Sequence, residues 1–163
     1  MVSLLNWKRA AERGYSPLTQ PSAPKPGERA KTFGECDVSY DDQNIFAKIL
    51  RGEIPNDTVY EDDHVLAFRD IQPQAPTHVL VIPKGPYVSF DDFAENASDA
   101  ELAAYVRAIG KVARQERVAP VAGGNGFRLI ANAGEDGVQE VPHLHVHVLG
   151  GRRIGRMVQR TES

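Results

Sequence analysis

The chain has 163 residues, of which 41% are hydrophobic and 25% charged, a composition typical of one globular domain rather than a disordered segment. Its single cysteine, Cys36, excludes an intrachain disulfide and any metal site built from several cysteines. The net charge is −3, with +3 on residues 1–35 and −6 on the remainder, so we expect no nonspecific binding to duplex nucleic acid. No apolar run approaches the roughly 20 residues that cross a bilayer, so we expect no membrane partner.

The first 40 residues differ from the rest and are predicted to form a flexible or targeting-like extension. Met1–Tyr15 has the pattern of a short amphipathic helix, and Ser16–Pro26 contains four prolines, which favour an extended linker. The basic amphipathic segment resembles a mitochondrial presequence, although Glu12 and the low serine content count against one. We therefore expect a cytoplasmic protein, with mitochondrial import as the alternative, and a C-terminal tail at residues 154–163.

Residues 41–153 are predicted to form the folded domain. A short helix capped by Asp42 or Asn44 comes first, and a capping box at Ser98–Glu101 begins a long helix that ends near Arg117. Five segments have the alternating or β-branched pattern of strands: residues 58–60, 65–68, 78–82, 127–131 and about 142–149. Most connections are too short for parallel crossovers, so the sequence predicts an α+β fold with one five-stranded antiparallel sheet.

The most informative segment lies near the C-terminus, where His143, His145 and His147 alternate with aliphatic residues. These are three of the five histidines in the chain. On a strand, this period of two places all three imidazoles on one face. Buried imidazoles need polar partners and are rarely selected for packing alone, so the pattern indicates a functional site.

Two kinds of chemistry fit this segment. In the first, the imidazoles bind a metal ion, with His78 approaching in space. Along a regular strand, however, His143 and His147 lie about 13 Å apart at Cα, too far to share one zinc ion. In the second, the central ring of His145 is a nucleophile toward phosphorus, oriented by a hydrogen bond to its far nitrogen and assisted by a neighbouring imidazole. The second is favoured, and metal binding is the alternative.

Five further segments are distinctive: Ile45–Ile49, Ala67–Ile71, Gln74–His78, Val81–Lys84 and Leu149–Arg152. Together with His143–Leu149, which matches a His-φ-His-φ-His-φ-φ signature, they resemble the histidine-triad (HIT) family and its HINT branch of purine nucleoside phosphoramidases. The resemblance extends from about Asn44 to Arg153. It implies a single HIT-like domain with one long helix and one short N-terminal helix, and a two-fold dimer with an extended sheet, joined through the long helix and the fourth strand.

By position, the resemblance implies a role for each site residue. His145 is the nucleophile that forms a nucleotidyl-histidine intermediate, and His143 helps to fix the geometry. His147 lies near the leaving group, with His78 as its supporting partner. Asp70 accepts from the ribose hydroxyls, a role that suits a carboxylate. The implied nucleotide-binding residues, which supply apolar walls for the purine and polar contacts to ribose or phosphate, are Phe46, Phe68, Asp70, Ile71, Asn132, Val138, Gln139, Glu140, His145 and His147.

The sequence departs from the family pattern at three positions. Glu140 stands where the best-known HINT proteins carry a serine, and a carboxylate repels a phosphate unless it is protonated or turned away. Glu140 could instead bind a cationic amine leaving group. Val138 replaces a glycine and removes backbone freedom. Ala47 stands where some relatives have a zinc-ligand cysteine, so we expect no structural zinc.

The resemblance implies a nucleotide hydrolase or nucleotidyl transferase that needs neither metal nor cofactor and acts on purine nucleoside 5′-phosphoramidates or acyl adenylates. We expect its rate to depend on pH near neutrality through histidine protonation. Two alternatives stay open: a dinucleoside polyphosphate hydrolase, against which the Gly150-Gly151 pair counts, and a nucleotide-binding regulatory module with little turnover. The expected partners are a purine nucleotide and a second copy of the chain.

Overall fold

A computed structural model describes residues 40–156 of the chain. Most of the predicted extension and of the predicted tail therefore lies outside the described residues, and so does the predicted helix Met1–Tyr15. The predicted boundaries between extension, folded domain and tail therefore stay predictions. Among the helices of the described part, none is long and apolar enough to cross a bilayer.

The five predicted strands form one antiparallel sheet, which confirms the α+β fold. The strands are β1 Thr58–Glu61, β2 Val65–Arg69, β3 Thr77–Pro83, β4 Phe127–Ala131 and β5 Val146–Gly150. Their order across the sheet is β1-β2-β3-β5-β4, and every neighbouring pair is antiparallel. Strands β3 and β5 are therefore neighbours, and each is paired on both of its sides.

Within residues 40–156, three α-helices accompany the sheet: α1 Ile45–Leu50, α2 Phe90–Asn96 and α3 Asp99–Gln115. Helix α1 begins after Asn44, whose side-chain oxygen accepts the backbone N–H groups of Phe46 and Ala47 at 2.9 Å each. Helix α3 begins with the predicted capping box, in which the Ser98 and Glu101 side chains each accept a backbone N–H of the other residue. Both predicted helices are thus confirmed.

The sequence predicted one short and one long helix but not helix α2, so that prediction was incomplete. Its N-cap is Ser89, whose hydroxyl accepts the N–H of Asp92, and the acidic residues of its first turn suit the positive end of the helix dipole. Only Phe93 among its seven residues is buried. A single buried side chain gives no apolar periodicity by which to predict the helix.

The sheet is covered by helices on both faces. Helix α3 packs Tyr105 and Val112 against one face, and the buried Tyr105 hydroxyl donates to the carbonyl oxygen of Val81 at 2.8 Å. Helix α1 packs Phe46 and Ile49 against the opposite face. Alternate residues along each central strand therefore belong to different cores, as the period of two requires.

Strand β5 begins at Val146, later than predicted, and this changes where the histidines lie. His147 is on the strand, but His143 and His145 precede it, so the three do not share one regular strand. The ladder ends here because Pro83, the last residue of β3, has no N–H to donate. Its carbonyl oxygen instead accepts a hydrogen bond from Nε2 of His143 at 2.9 Å.

Strand β4 is an edge of the sheet and leaves apolar side chains exposed. Phe127 and Leu129 are 38% and 47% exposed. Leu129 pairs with Val148, which belongs to the α3-side core, so this exposed apolar surface continues the face that α3 covers elsewhere. An open edge strand with apolar side chains favours association. We propose that a second copy of the chain covers it, as in the expected two-fold dimer with an extended sheet.

Leu129→Lys should convert a dimer into a monomer, because the ammonium group would have to be buried without a partner against the second copy, on the face of the sheet that continues the α3 side. Size-exclusion chromatography with light scattering measures the change. Val121→Lys, at an 85% exposed valine outside the sheet, is the matched control and should stay dimeric. A wild-type chain that is monomeric at micromolar concentration contradicts the proposal.

Candidate active site

Strand pairing brings two of the predicted site residues together on the α1 side of the sheet. Along β3, Val79 and Val81 belong to the α3-side core, so His78 faces the opposite side. The register pairs Leu80 with His147, which places His147 on that same side and diagonally adjacent to His78. The two imidazoles, 69 positions apart in the chain, meet with His78 Nε2 at 2.9 Å from His147 Nδ1.

His145 lies just before β5 and is 5% exposed. Its Nδ1 is 2.8 Å from the main-chain carbonyl oxygen of His143. Because a carbonyl oxygen can only accept, Nδ1 carries the proton of the neutral ring and Nε2 has a free lone pair. The ring packs edge-on against Phe46 and His147, with centroid separations of 5.1 and 5.0 Å. His145 therefore has the tautomer that a nitrogen nucleophile requires.

His143 is fully buried, and both of its ring nitrogens have partners. Nε2 lies 2.9 Å from the carbonyl oxygen of Pro83 and must donate to it. Nδ1 therefore accepts in the neutral ring, from the hydroxyl of Tyr40 at 2.6 Å. Burial lowers the pKa of His143 to about 4, opposed by the hydrogen bond to Pro83 and reinforced by nearby His145. The ring is neutral at pH 7.

A backbone contact fixes the tautomer of His78. The N–H of Gln74 donates to His78 Nδ1 at 3.2 Å, so the ring proton is on Nε2. That proton is donated to Nδ1 of His147, and Oδ2 of Asp70 lies 3.4 Å away. His147 Nδ1 is thus an acceptor, and the proton of its neutral ring is on Nε2. The Arg152 guanidinium donates to the carbonyl oxygen of Gln74 at 2.8 Å and tethers this loop.

Both rings of the His78–His147 pair are neutral at pH 7. Burial lowers the pKa of His78, and the Asp70 carboxylate opposes the shift. Burial also lowers the pKa of His147 to about 4, with His145 and His78 adding to the effect. The expected pH dependence near neutrality therefore does not come from His143 or His147 in the free protein, because both lose their protons at far lower pH.

The two hydrogen-bond networks leave complementary atoms on adjacent rings. His145 has an unprotonated Nε2, and His147 has a protonated Nε2, with the ring centroids 5.0 Å apart. A nitrogen lone pair beside an N–H donor can attack an electrophilic centre while the donor stabilises an oxygen or nitrogen bonded to that centre. The arrangement is suited to group transfer through a covalent intermediate.

Comparison with known proteins identifies the family, because the HIT domain matches residues 51–154. The chain belongs to the HIT family. A HIT-like protein of Azospirillum brasilense is 56% identical over 122 residues, which cover 75% of this chain and 97% of that protein. The purine nucleoside phosphoramidase of Escherichia coli K12 is 46% identical over 117 residues, which cover 72% of this chain and 94% of that protein.

Solved structures of HIT proteins share the fold. A HIT family hydrolase from Clostridium thermocellum superimposes with a TM-score of 0.62 at 35% identity, over 73% of this chain and 99% of that one. A histidine triad protein from Clostridium difficile gives a TM-score of 0.59 at 44% identity, over 69% and 93% of the two chains. The predicted HIT-like domain is confirmed, and this HIT protein has hydrolase homologues.

The residues that the HIT resemblance implies for the purine are divided between core and surface. Phe46 and Phe68 are buried and in edge-on contact, with ring centroids 5.7 Å apart, so both belong to the α1-side core. Ile71 is 89% exposed. Ile45, which was not predicted as a site residue, is 44% exposed although its neighbour Phe46 is buried. Ile71 and Ile45 therefore have apolar surface that a flat base could cover, whereas Phe46 and Phe68 have almost none.

Asp70 has two kinds of contact. One carboxylate oxygen accepts the backbone N–H of Gln72 at 2.7 Å and caps the turn after β2. The other lies 3.4 Å from His78 Nε2. A carboxylate has about four acceptor positions, so the turn contact leaves capacity for the ribose hydroxyls that the resemblance implies.

The loop between β4 and β5 carries the remaining predicted site residues. Asn132 is half-buried directly after β4, and Glu140 is exposed. Val138 is 68% exposed and has a φ of 54°, a conformation that is costly for a β-branched residue. The valine therefore adopts the backbone conformation for which the family's glycine is suited, and bears strain in doing so.

Gln139 holds this loop in place. Its Oε1 accepts the N–H of Gly134 at 3.1 Å, and its Nε2 donates to the carbonyl oxygens of Val88 and Val141 at 2.6 and 3.0 Å. Both polar ends of the side chain are thus engaged within the protein. The predicted contact of Gln139 with ribose or phosphate would have to replace these bonds.

The structure also brings together the residues of the metal alternative. Ligand atoms of Asp70, His78 and His147 lie within 4.8 Å of one another. A metal ion on His78 Nε2 would, however, move the ring proton to Nδ1, where it would face the N–H of Gln74. The ion would also replace the His78–His147 hydrogen bond. The hydrogen bonds of the site therefore favour its metal-free form.

Three residues near the histidines were not predicted as site residues: Tyr40, Gln74 and Arg152. Gln74 and Arg152 lie at the edges of the segments that resemble the family, and this position was the only indication of a role that the sequence offered for them. Tyr40 falls in the predicted extension, outside those segments, and no pattern marks it. Each acts through a contact between residues far apart in the chain.

The buried ring of His143 should make the domain less stable in acid. Its pKa is about 4 in the folded chain and about 6.5 when unfolded, so between these values the unfolded chain binds the proton more tightly. The stabilisation is complete above pH 6.5 and is lost as the pH falls toward 4, by up to about 3 kcal/mol. Urea denaturation at pH 7 and about 4.5 measures the loss. His143→Asn should show a smaller loss than His64→Asn, an exposed control, and equal losses would contradict the assignment.

Proposed function

We propose that this HIT protein hydrolyses purine nucleoside 5′-phosphoramidates or acyl adenylates through a nucleotidyl intermediate on His145. The observation that carries the proposal is the hydrogen bond from His145 Nδ1 to the carbonyl oxygen of His143, which places the lone pair of the neutral ring on Nε2. The 46% identity to the purine nucleoside phosphoramidase of Escherichia coli supports the substrate class.

In the first step, His145 Nε2 attacks the α-phosphorus and the phosphorus–nitrogen bond breaks. The positive charge that develops on the His145 ring is stabilised by the bond from Nδ1–H to the His143 carbonyl. Neutral His147 keeps its proton on Nε2, because its Nδ1 accepts from His78, and this Nε2–H donates a hydrogen bond to the leaving nitrogen. The amine departs with a proton taken from solvent.

In the second step, water attacks the nucleotidyl phosphorus and the bond to His145 Nε2 breaks. The Nε2–H of His147 donates to a phosphoryl oxygen during this step, and the proton of the attacking water passes to solvent. The nucleoside monophosphate leaves, and His145 recovers its original tautomer. Two displacements at one phosphorus thus use the same pair of rings, with His145 as the attacked and released group and His147 as the hydrogen-bond donor.

The loop before the triad favours an amine over a phosphate as leaving group. Glu140 is exposed there, in the position where, by the resemblance, the best-known HINT proteins carry a serine. A carboxylate attracts a cationic amine and repels the highly charged polyphosphate that a dinucleoside polyphosphate would release. We therefore place phosphoramidates ahead of dinucleoside polyphosphates as substrates.

His145→Asn should lower the rate of adenosine 5′-phosphoramidate hydrolysis by about 10³-fold or more, because the amide has no nitrogen lone pair that can attack phosphorus. Release of AMP, followed by chromatography, measures the rate. His64→Asn, an exposed histidine outside the site, is the control and should retain the wild-type rate. Equal rates for wild type and His145→Asn would overturn the proposal. Nucleotide binding without turnover by either would instead favour a regulatory module.

A metal chelator should leave the rate unchanged, since no step uses an ion. Added zinc should inhibit, because an ion bound by Asp70, His78 and His147 would replace the hydrogen bond that orients His147. Initial rates with EDTA and with micromolar zinc test both statements. Loss of activity in EDTA and recovery with zinc would restore the metal alternative.

A further inference from the structure

Tyr40 makes an unexpected contact with the innermost histidine of the triad. It stands 103 positions before His143 in the chain, yet its hydroxyl oxygen is 2.6 Å from Nδ1 of that ring. The two rings meet edge-on with centroids 5.5 Å apart. This contact joins the chain segment just before helix α1 to the segment just before β5.

The hydroxyl of Tyr40 satisfies an acceptor that is otherwise buried without a partner. His143 is fully buried, and its Nε2 already donates to the carbonyl oxygen of Pro83. The remaining nitrogen, Nδ1, therefore needs a donor, and a buried acceptor without one is costly. Burial raises the pKa of Tyr40, opposed by a hydrogen bond from Asn44, so the phenol keeps its proton and can donate it.

The same His143 residue holds the nucleophile through its main chain. Its carbonyl oxygen accepts from Nδ1 of His145 at 2.8 Å. The ring of His143 is fixed at both nitrogens, by Tyr40 and by Pro83, and a ring fixed in this way limits movement of its own backbone. A path of direct contacts thus runs from the Tyr40 hydroxyl to the imidazole of His145.

We propose that Tyr40 is a positioning residue for His145: its hydroxyl fixes the tautomer and orientation of His143, and thereby the carbonyl that holds the nucleophile. The proposal rests on the proposed function for its effect on catalysis.

Tyr40→Phe removes the hydroxyl and keeps the ring. We expect kcat for adenosine 5′-phosphoramidate to fall about 10-fold with KM within twofold, because orientation of the attacking atom is disturbed while no nucleotide contact is lost. The matched control is Tyr60→Phe, which removes a hydroxyl bonded to Asp62 at 2.7 Å and remote from the triad, and it should retain the wild-type kcat. A kcat for Tyr40→Phe equal to that of the control would overturn the proposal.

Imidazole ¹⁵N NMR tests the positioning without any substrate. Wild-type His143 should be neutral with its proton on Nε2, and Tyr40→Phe should shift the Nδ1 resonance of His143 and speed solvent exchange of the His145 Nδ1 proton. Wild-type His143 with its proton on Nδ1 would overturn the proposal, even if the variant failed to fold. If the wild type does not hydrolyse the phosphoramidate, the proposed function fails, and these spectra alone decide the positioning: a change at His145 supports it, and no change overturns it.

Discussion

The hydrogen bond between His145 Nδ1 and the carbonyl oxygen of His143 is the constraint on which the site depends. A free imidazole exchanges its proton between two nitrogens and rotates about its side chain, so on average it is a poorly directed nucleophile. A main-chain carbonyl two residues away removes both freedoms, because it can only accept and it cannot move independently of the chain. The distinction between attacking ring and donating ring follows, because the partners of His147 impose the opposite tautomer.

The sheet explains why these partners are in reach. The β3–β5 register sets His78 diagonally beside His147 on the α1-facing side. At the end of the same ladder, Pro83 cannot pair further, and its carbonyl oxygen binds the ring of His143. Two paths of hydrogen bonds then run inward from the surface of the fold, one from Tyr40 through His143 and one from Arg152 through the Gln74 loop. The strand register thus sets where the imidazole rings lie, and hydrogen bonds from the segments at the strand ends set which ring nitrogen carries the proton.

The sequence predicted the elements whose signal is periodic or local: the five strands, the capped helices and the spacing of the histidines. It misplaced the start of β5, because alternation continues through residues 143–145 although the ladder does not, and the interruption comes from Pro83 on another strand. Contacts between distant residues carry no local signal, which is why Tyr40 went unnoticed. For Gln139 the resemblance implied a ligand contact, which stays a prediction, and only the folded chain shows that its side chain bonds to Gly134, Val88 and Val141. The neutral state of His143 and His147 could not be predicted either, because the burial that lowers the pKa of each ring exists only in the folded chain.

Covalent attachment of the nucleotide is the claim that separates this account from metal-assisted hydrolysis and from simple binding. Rapid acid-free quenching of the wild-type protein with adenosine 5′-phosphoramidate, followed by intact-mass and peptide mass spectrometry, measures it directly. The account predicts a transient adduct with the mass of one adenylyl group, located on His145. An adduct on another residue, or AMP release under single-turnover conditions with no adduct at any time, would contradict it.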